Sequence, residues 1–373
     1  MAFGQDILTH SRMACFKDCR ERHRLRYDCR IGRVGADTKA LRMGGALHLG
    51  IEALANGRTI DDACALIRQN YATVPGWADT FDWLIEREIC LRLLAGYEWR
   101  WSEDPIEHVR AEAQFRLPIV NPQTGRSSRT FVRSGKIDGI VRRDGRLAVR
   151  ETKTTSESIA PDSDYWPRLA IDSQIAGYVQ AARAMGYAVE TVFYDVIRKP
   201  GIAPKQVPLK DDMGFKIVLD RDGRRVMKKG GLPRESGSTE DGYTLQVRVE
   251  NPQEFGDRLT ADIGERPDFY FARREIALTP ETLAAYDREL WSIANDVRAG
   301  ECYRNTSACL NPYVCEFTPI CFNGIEVGPD GPVPDGFERR DWVHPELEDM
   351  SNDCTTDGPA ADITTESPAA AGV

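Results

Sequence analysis

The apolar residues of this chain change period part-way along. Over the first hundred residues they recur at helical spacing, and from about residue 107 they alternate. Residues 11–30, SRMACFKDCRERHRLRYDCR, read as a basic helix capped by Ser11. Leu47, Ile51 and Leu54 give one apolar face to a second helix over 38–55. Thr59 followed by Asp62 predicts a capping box for a third helix reaching about Tyr71, and 78–101 forms a longer amphipathic helix. Residues 107–119 and 130–143 read as strands, Asp144-Gly145 as a tight turn and 146–152 as the next strand. A helix over roughly 164–184 and a strand over 191–197 complete an α/β core. Residues 199–265 are less regular and read as an insertion, with a hairpin around Asp222-Gly223. A helix over 279–299 leads into a cysteine-rich stretch.

These elements divide the chain into five segments. Residues 1–105 are an N-terminal helical region, 106–200 the α/β core and 201–275 a basic insertion. Residues 276–335 hold the last helix and the cysteines, and 336–373 an acidic, disordered tail. Of the 373 residues 41% are hydrophobic and 29% charged, an ordinary soluble balance. No apolar run reaches the length of a membrane helix, which excludes an integral membrane protein. The N-terminus lacks the shape of a secretory signal, so the expected compartment is the cytoplasm. The ten cysteines are then reduced thiols or metal ligands.

Charge sharpens the picture once it is divided. Residues 345–373 hold seven acids and no Lys or Arg; without them the net charge of −9 becomes −2. Residues 11–42 carry ten Lys and Arg against four acids, and residues 198–234 eleven against four. Two basic stretches on a near-neutral body fit a partner with phosphates.

Candidate chemistry concentrates in SGKIDGIVRRDGRLAVRETKTTS, residues 134–156. Asp138 lies near the end of one strand; Glu151 and Lys153, two apart on the next, share a face. Two carboxylates converging from neighbouring strands make a hard oxygen site for Mg²⁺ or Mn²⁺, and an adjacent lysine can help an attacking water or stabilise developing charge. On its own, E-x-K on a strand is common. Its company gives it weight: upstream, His48 and Glu52 share a helix face behind Gly44-Gly45, and downstream Gln174 and Tyr178 are i, i+4 on a helix.

GxxxH, GKIDG, ExK and QxxxY in this order resemble the RecB-like branch of the PD-(D/E)xK nucleases, which includes CRISPR-associated exonucleases, the AddB nuclease domain and phage enzymes. The resemblance covers about residues 11–200 and resumes over 300–325. It implies a restriction-endonuclease-like α/β fold, with His48, Asp138 and Glu151 as metal ligands and Lys153 as a catalytic residue. Gln174 and Tyr178 would hold DNA near the site, and Glu112, on the preceding strand, would assist the metal. Relatives often carry D-x-K where this chain has Glu151-Thr152-Lys153; either acid serves.

Cys309, Cys315 and Cys321 lie six apart in a short stretch, which argues for metal. The spacing leaves the fourth ligand open among Cys302, Cys15, Cys19 and Cys29. The resemblance selects Cys19, because the phrase from Ser11 to Cys19 matches the one that carries the early cysteine in relatives with an iron–sulfur cluster. Arg20 stands where those relatives have proline. A [4Fe–4S] cluster on Cys19, Cys309, Cys315 and Cys321 is thereby implied, with zinc as the rival.

The expected activity is metal-dependent DNA hydrolysis, most simply by an exonuclease of recombination, repair or phage DNA processing. Its DNA would be single-stranded or end-bearing. A separate helicase or recombination subunit is a candidate partner, since the chain has no Walker-type phosphate loop. The alternative is a non-catalytic DNA-binding or scaffold subunit of a helicase–nuclease or spacer-acquisition complex.

Overall fold

The computed structural model describes residues 5–35, 38–104, 106–237, 240–310 and 313–347. The chain opens with strand β1 (Asp6–Leu8), then α1 (His10–Asp18) and α2 (Arg20–His23), which continues into a π-helical turn over Arg24–Asp28. The expected single helix over 11–30 is therefore broken, and Thr9, not Ser11, caps it by accepting the Arg12 N–H. Strand β2 (Ile31–Arg33) precedes three helices, α3 (Lys39–Ala55), α4 (Ile60–Asn70) and α5 (Thr80–Trp101). The Thr59–Asp62 capping box forms as the sequence predicts. Gly44 and Gly45 are not points of close approach; that role falls to Gly50, where a Cβ would lie 2.5 Å from Leu94 on α5.

Strands β3 (Glu107–Val120), β4 (Ser127–Arg143) and β5 (Arg146–Thr155) form the expected meander. The following helix is split into α6 (Tyr165–Ala170) and α7 (Ser173–Ala184), the latter capped by Asp172, and β6 (Thr191–Arg198) follows. The core sheet has the order β1-β4-β5-β6, with β3 on the other edge of β4. β5 and β6 run parallel, as do β1 and β4; β3, β4 and β5 are antiparallel. One detail positions everything that follows. β1 covers β4 at residues 131–133 and β5 covers the same edge at 139–143, so residues 134–138 lie between them at a gap in the sheet.

The insertion is smaller than expected. Short strands β7 (Gln206–Pro208), β8 (Val218–Leu219), β9 (Thr244–Leu245) and β10 (Val247–Val249) make small ribbons, with a turn at Asp222-Gly223 as predicted. Helix α8 (Pro252–Glu265), however, belongs to the core: its Phe255, Leu259 and Ile263 pack with Leu93 and Leu94 of α5. After the short α9 (Pro267–Tyr270), strand β11 (Phe271–Ile276) pairs antiparallel with β6 and extends the main sheet. Two arginines mask β11 in the sequence. Arg273 is buried because it meets Asp195 of β6 at 2.5 and 2.9 Å.

Helix α10 (Pro280–Ala299), capped by Thr279, packs with β1 and α1. The cysteine-rich stretch ends in α11 (Thr318–Phe322). Residues 336–347 do not belong to a disordered tail. Strand β12 (Phe337–Arg339) pairs with β2, and Leu347 is only 1% exposed. The rest of the expected tail, 348–373, lies outside the described residues. Among the described residues no helix is long and apolar enough to cross a membrane.

Candidate active site

Asp138 stands at the end of the gap, one residue before the β4–β5 ladder begins at Gly139 and Arg150. Its carboxylate accepts the Thr152 N–H at 2.8 Å, which fixes it against β5 as the two strands part. His48, from α3, places Nδ1 3.5 Å from the same carboxylate. On the other side Ala111 pairs with Gly139 and Ala113 with Ile137, so Glu112 stands opposite Asp138. Glu112 has a left-handed backbone, with φ 47°, which is uncommon away from glycine. One ligand atom each from His48, Glu112 and Asp138 lies within 4.8 Å of the others; among the described residues this is the only trio of metal-ligating side chains so close. Glu112 is thus more central than its assisting place in the sequence suggests. Glu52, four residues from His48, is not part of this trio.

Glu151 is buried, 2% exposed, and its Oε1 meets the Lys153 ammonium at 2.7 Å. Its other oxygen is buried without a hydrogen-bond partner. Burial first, and then the Asp138 charge, push the Glu151 carboxyl up to about 8. Glu151 is not one of the close trio, but a buried carboxyl with an unsatisfied oxygen near the Asp138 carboxylate is what a divalent cation would satisfy, drawing Glu151 into its ionised form. The donor set therefore fits Mg²⁺ or Mn²⁺.

Lys153 also donates to Gln174 Oε1 at 2.6 Å and lies 3.9 Å from Asp172. Burial pulls its pKa down, but Glu151 and Asp172 outweigh it and hold Lys153 above the usual range, so it is a cation. Gln174 in turn donates to the Tyr178 hydroxyl at 3.0 Å. Of the pair that the resemblance assigns to DNA, Gln174 thus bonds Lys153, and Tyr178 is linked to it through Gln174.

The cysteines form a second constellation. Cys19, Cys309, Cys315 and Cys321 line one pocket of about 220 Å³, with Arg22, Arg304, Phe317 and Phe322. The Asn305 N–H points at Cys19 Sγ, 3.4 Å away. Cys302 lines a neighbouring pocket instead, and Cys29 is buried against Arg24 and the Val327 carbonyl.

The basic N-terminal stretch is not a free phosphate-binding face. Arg12, Lys17, Arg20, Arg22, Arg24, Arg26 and Arg42 all pair with carboxylates, among them Asp6, Glu289, Asp296 and Glu86. These pairs tie the early helices to α10 and α5, so much of the charge counted there is internal. Nor are Tyr165 and Trp166 open for base stacking, since both are buried in the core.

A sheet of this order, with a carboxylate pair, a lysine and an imidazole at its split, is the arrangement of a metal-dependent nuclease. A model of the PD-(D/E)XK nuclease superfamily matches residues 7–322, and the chain belongs to that superfamily. No functionally curated protein matches the sequence. The crystal structure of SSO0001 aligns over 76% of this chain and 86% of its own, at 14% identity and a TM-score of 0.29.

Proposed function

We propose that the chain is a RecB-like DNA exonuclease that hydrolyses phosphodiester bonds with Mg²⁺ or Mn²⁺. The observation that carries this reading is the meeting of His48, Glu112 and Asp138 within 4.8 Å, beside buried Glu151 and its half-satisfied carboxyl. His48, Asp138 and Glu151 would hold the ion, with Glu112 as a further ligand. The ion would supply charge neutralisation at the phosphate and activation of water. Lys153, held as a cation and aimed by Gln174, stabilises the charge that develops on the phosphate oxygens. Tyr178 anchors Gln174, and the Thr152 N–H keeps Asp138 in place. The test is cleavage of end-labelled single- and double-stranded DNA with Mn²⁺ against EDTA. Metal-dependent shortening from an end supports the reading; no cleavage of either substrate with Mn²⁺ overturns it and leaves the scaffold subunit of a larger complex.

Lys153→Ala should lower single-turnover cleavage about a hundredfold or more while changing DNA affinity less than about threefold, because its contribution grows in the transition state. Weaker binding with an unchanged cleavage step would make Lys153 a phosphate contact only. Arg221, Lys228 and Lys229 are exposed on the insertion, as is Lys210, and are available for backbone contacts. Replacing Arg221, Lys228 and Lys229 with Gln should weaken single-stranded DNA binding and flatten its salt dependence by up to about three in the log–log slope. An unaltered slope in a salt titration would remove the insertion from the DNA path.

We further infer a [4Fe–4S] cluster on Cys19, Cys309, Cys315 and Cys321. Their shared pocket supports a common metal, and the match of the Ser11–Cys19 phrase to relatives with an iron–sulfur cluster supports iron over zinc. With all four thiolates engaged the role is structural, joining α1 to the C-terminal segment.

A further inference from the structure

The gap in the sheet holds a pocket of about 200 Å³ that opens beside Asp138 and runs to the start of α1. We propose that it is a phosphate site, for a nucleic-acid phosphate other than the scissile one, built from Arg133 and the N-terminus of α1. The nature of the ligand rests on the nuclease reading above; the existence of an anion site does not.

Arg133 lies on β4 five residues before Asp138 and is 9% exposed. Its Nη1 donates to Gln180 at 3.1 Å, and its guanidinium faces the Tyr286 ring at 6.0 Å. Its Nε is buried without a partner. Among the described residues no carboxylate comes within 4.0 Å of it, whereas buried Arg12 and Arg273 meet Asp6 and Asp195 directly. Gln180 stands in between, donating its amide to Asp287 at 2.9 Å, so the guanidinium is positioned but not neutralised. A buried cation without a counter-ion is costly, and a bound anion would relieve that cost.

The opposite wall is the first turn of α1. Thr9, His10 and Ser11 line the pocket, and Thr9 occupies only the Arg12 N–H. The remaining first-turn N–H groups and the helix dipole favour negative charge there. His10 is not the cation of the site, because burial lowers it to about 4.

The chain brings an anion of its own to this pocket. Glu346 lines it, from the segment that Leu347 and His344 anchor, and its Oε1 is buried without a hydrogen bond. The nearest ion-pair partner is His344 Nδ1 at 4.0 Å, and burial holds that histidine below its usual range. Glu346 thus shares the pocket with Arg133 without pairing with it, and a substrate phosphate would displace it.

The test is binding of short single-stranded oligonucleotides in EDTA, read by fluorescence anisotropy, with a 5′-phosphate, a 3′-phosphate or hydroxyl ends. Arg133→Gln should lose about tenfold in affinity. If the loss is confined to one phosphorylated end, the site takes a terminal phosphate; if all three oligonucleotides lose equally, it takes an internal one. Glu346→Gln, a change outside the sheet and helices, should bind about threefold tighter. Inorganic phosphate, against chloride at equal ionic strength, should raise the melting temperature of the wild type, more so of Glu346→Gln, and not of Arg133→Gln. Wild-type affinity in Arg133→Gln, or an unchanged affinity in Glu346→Gln, would overturn the site. Should Arg133→Gln not fold, the Glu346→Gln and phosphate measurements decide. A protein that shows this binding pattern yet cuts nothing with Mn²⁺ keeps the site and loses the nuclease reading; one that cuts without any dependence on Arg133 or Glu346 loses the site alone.

Discussion

Asp138→Ala should abolish cleavage, by about a thousandfold or more, and leave binding of single-stranded DNA unchanged or slightly tighter. Asp138 is the residue on which the site converges. It takes the Thr152 N–H, stands 3.5 Å from His48 and opposes Glu112 across the β3–β4 ladder. Without it the ion would lose a central ligand, and His48 would lose the carboxylate beside its imidazole. Removing a carboxylate near phosphates does not weaken attraction for DNA, so the two readouts should separate. Asp138→Asn keeps the shape and should be nearly as inactive, which distinguishes lost charge from a disturbed strand. An Asp138→Ala protein that cuts at the wild-type rate would refute the site.

The second large effect concerns the cysteines. Cys19→Ala should be as damaging as Cys315→Ala, although 296 positions separate the two residues. Both thiols line the same pocket, and a metal there would close a loop of most of the chain. Protein purified without oxygen should be brown and carry about four irons per chain. Each of the two variants should lose that iron and melt at a markedly lower temperature. Cys15→Ala, Cys29→Ala and Cys302→Ala should keep the full metal content, because those thiols lie elsewhere. Stoichiometric zinc in a colourless, active preparation would reject iron but keep the ligands; full metal in Cys19→Ala would reject the ligand set.

Elements with a clean period were readable in the sequence: α3, α4, α5, the β3–β5 meander and β6 fall where the patterns place them. What the sequence hid has physical causes. β11 carries Arg273 and Arg274, and an inward arginine looks polar until its partner, Asp195, is known. β1 is three residues long and is a strand only because β4 lies beside it. The first helix breaks at Cys19, where distant residues tie both sides of the break: Asn305 donates to the Asp18 carbonyl and the Glu21 N–H donates to the Tyr303 carbonyl. At the site, Asp138, Glu151 and Lys153 are close in sequence and could be read together, and a hairpin sets their geometry. The rank of Glu112 follows from the β3–β4 register, which single-strand patterns do not fix. The charge count over 11–42 overstates the basic surface because Arg12, Arg22 and Arg24 meet carboxylates close by in the chain, and Lys17, Arg20 and Arg26 meet carboxylates far along it.

The pairing of β2 with β12 has a consequence for how the protein is made. Residues 31–33 find their strand partner only at 337–339, and Leu25, Cys29 and Ile31 are buried by Phe317, Ile320 and Val327. These apolar residues therefore leave the ribosome long before the residues that cover them. At about 5 to 20 residues per second, roughly 15 to 60 s of translation separate their synthesis from that of the segment that shields them. During this interval the basic N-terminal segment, not yet matched with Glu289, Asp296 and Glu316, carries an excess of positive charge. That excess keeps nascent chains apart by repulsion until the acidic partners arrive.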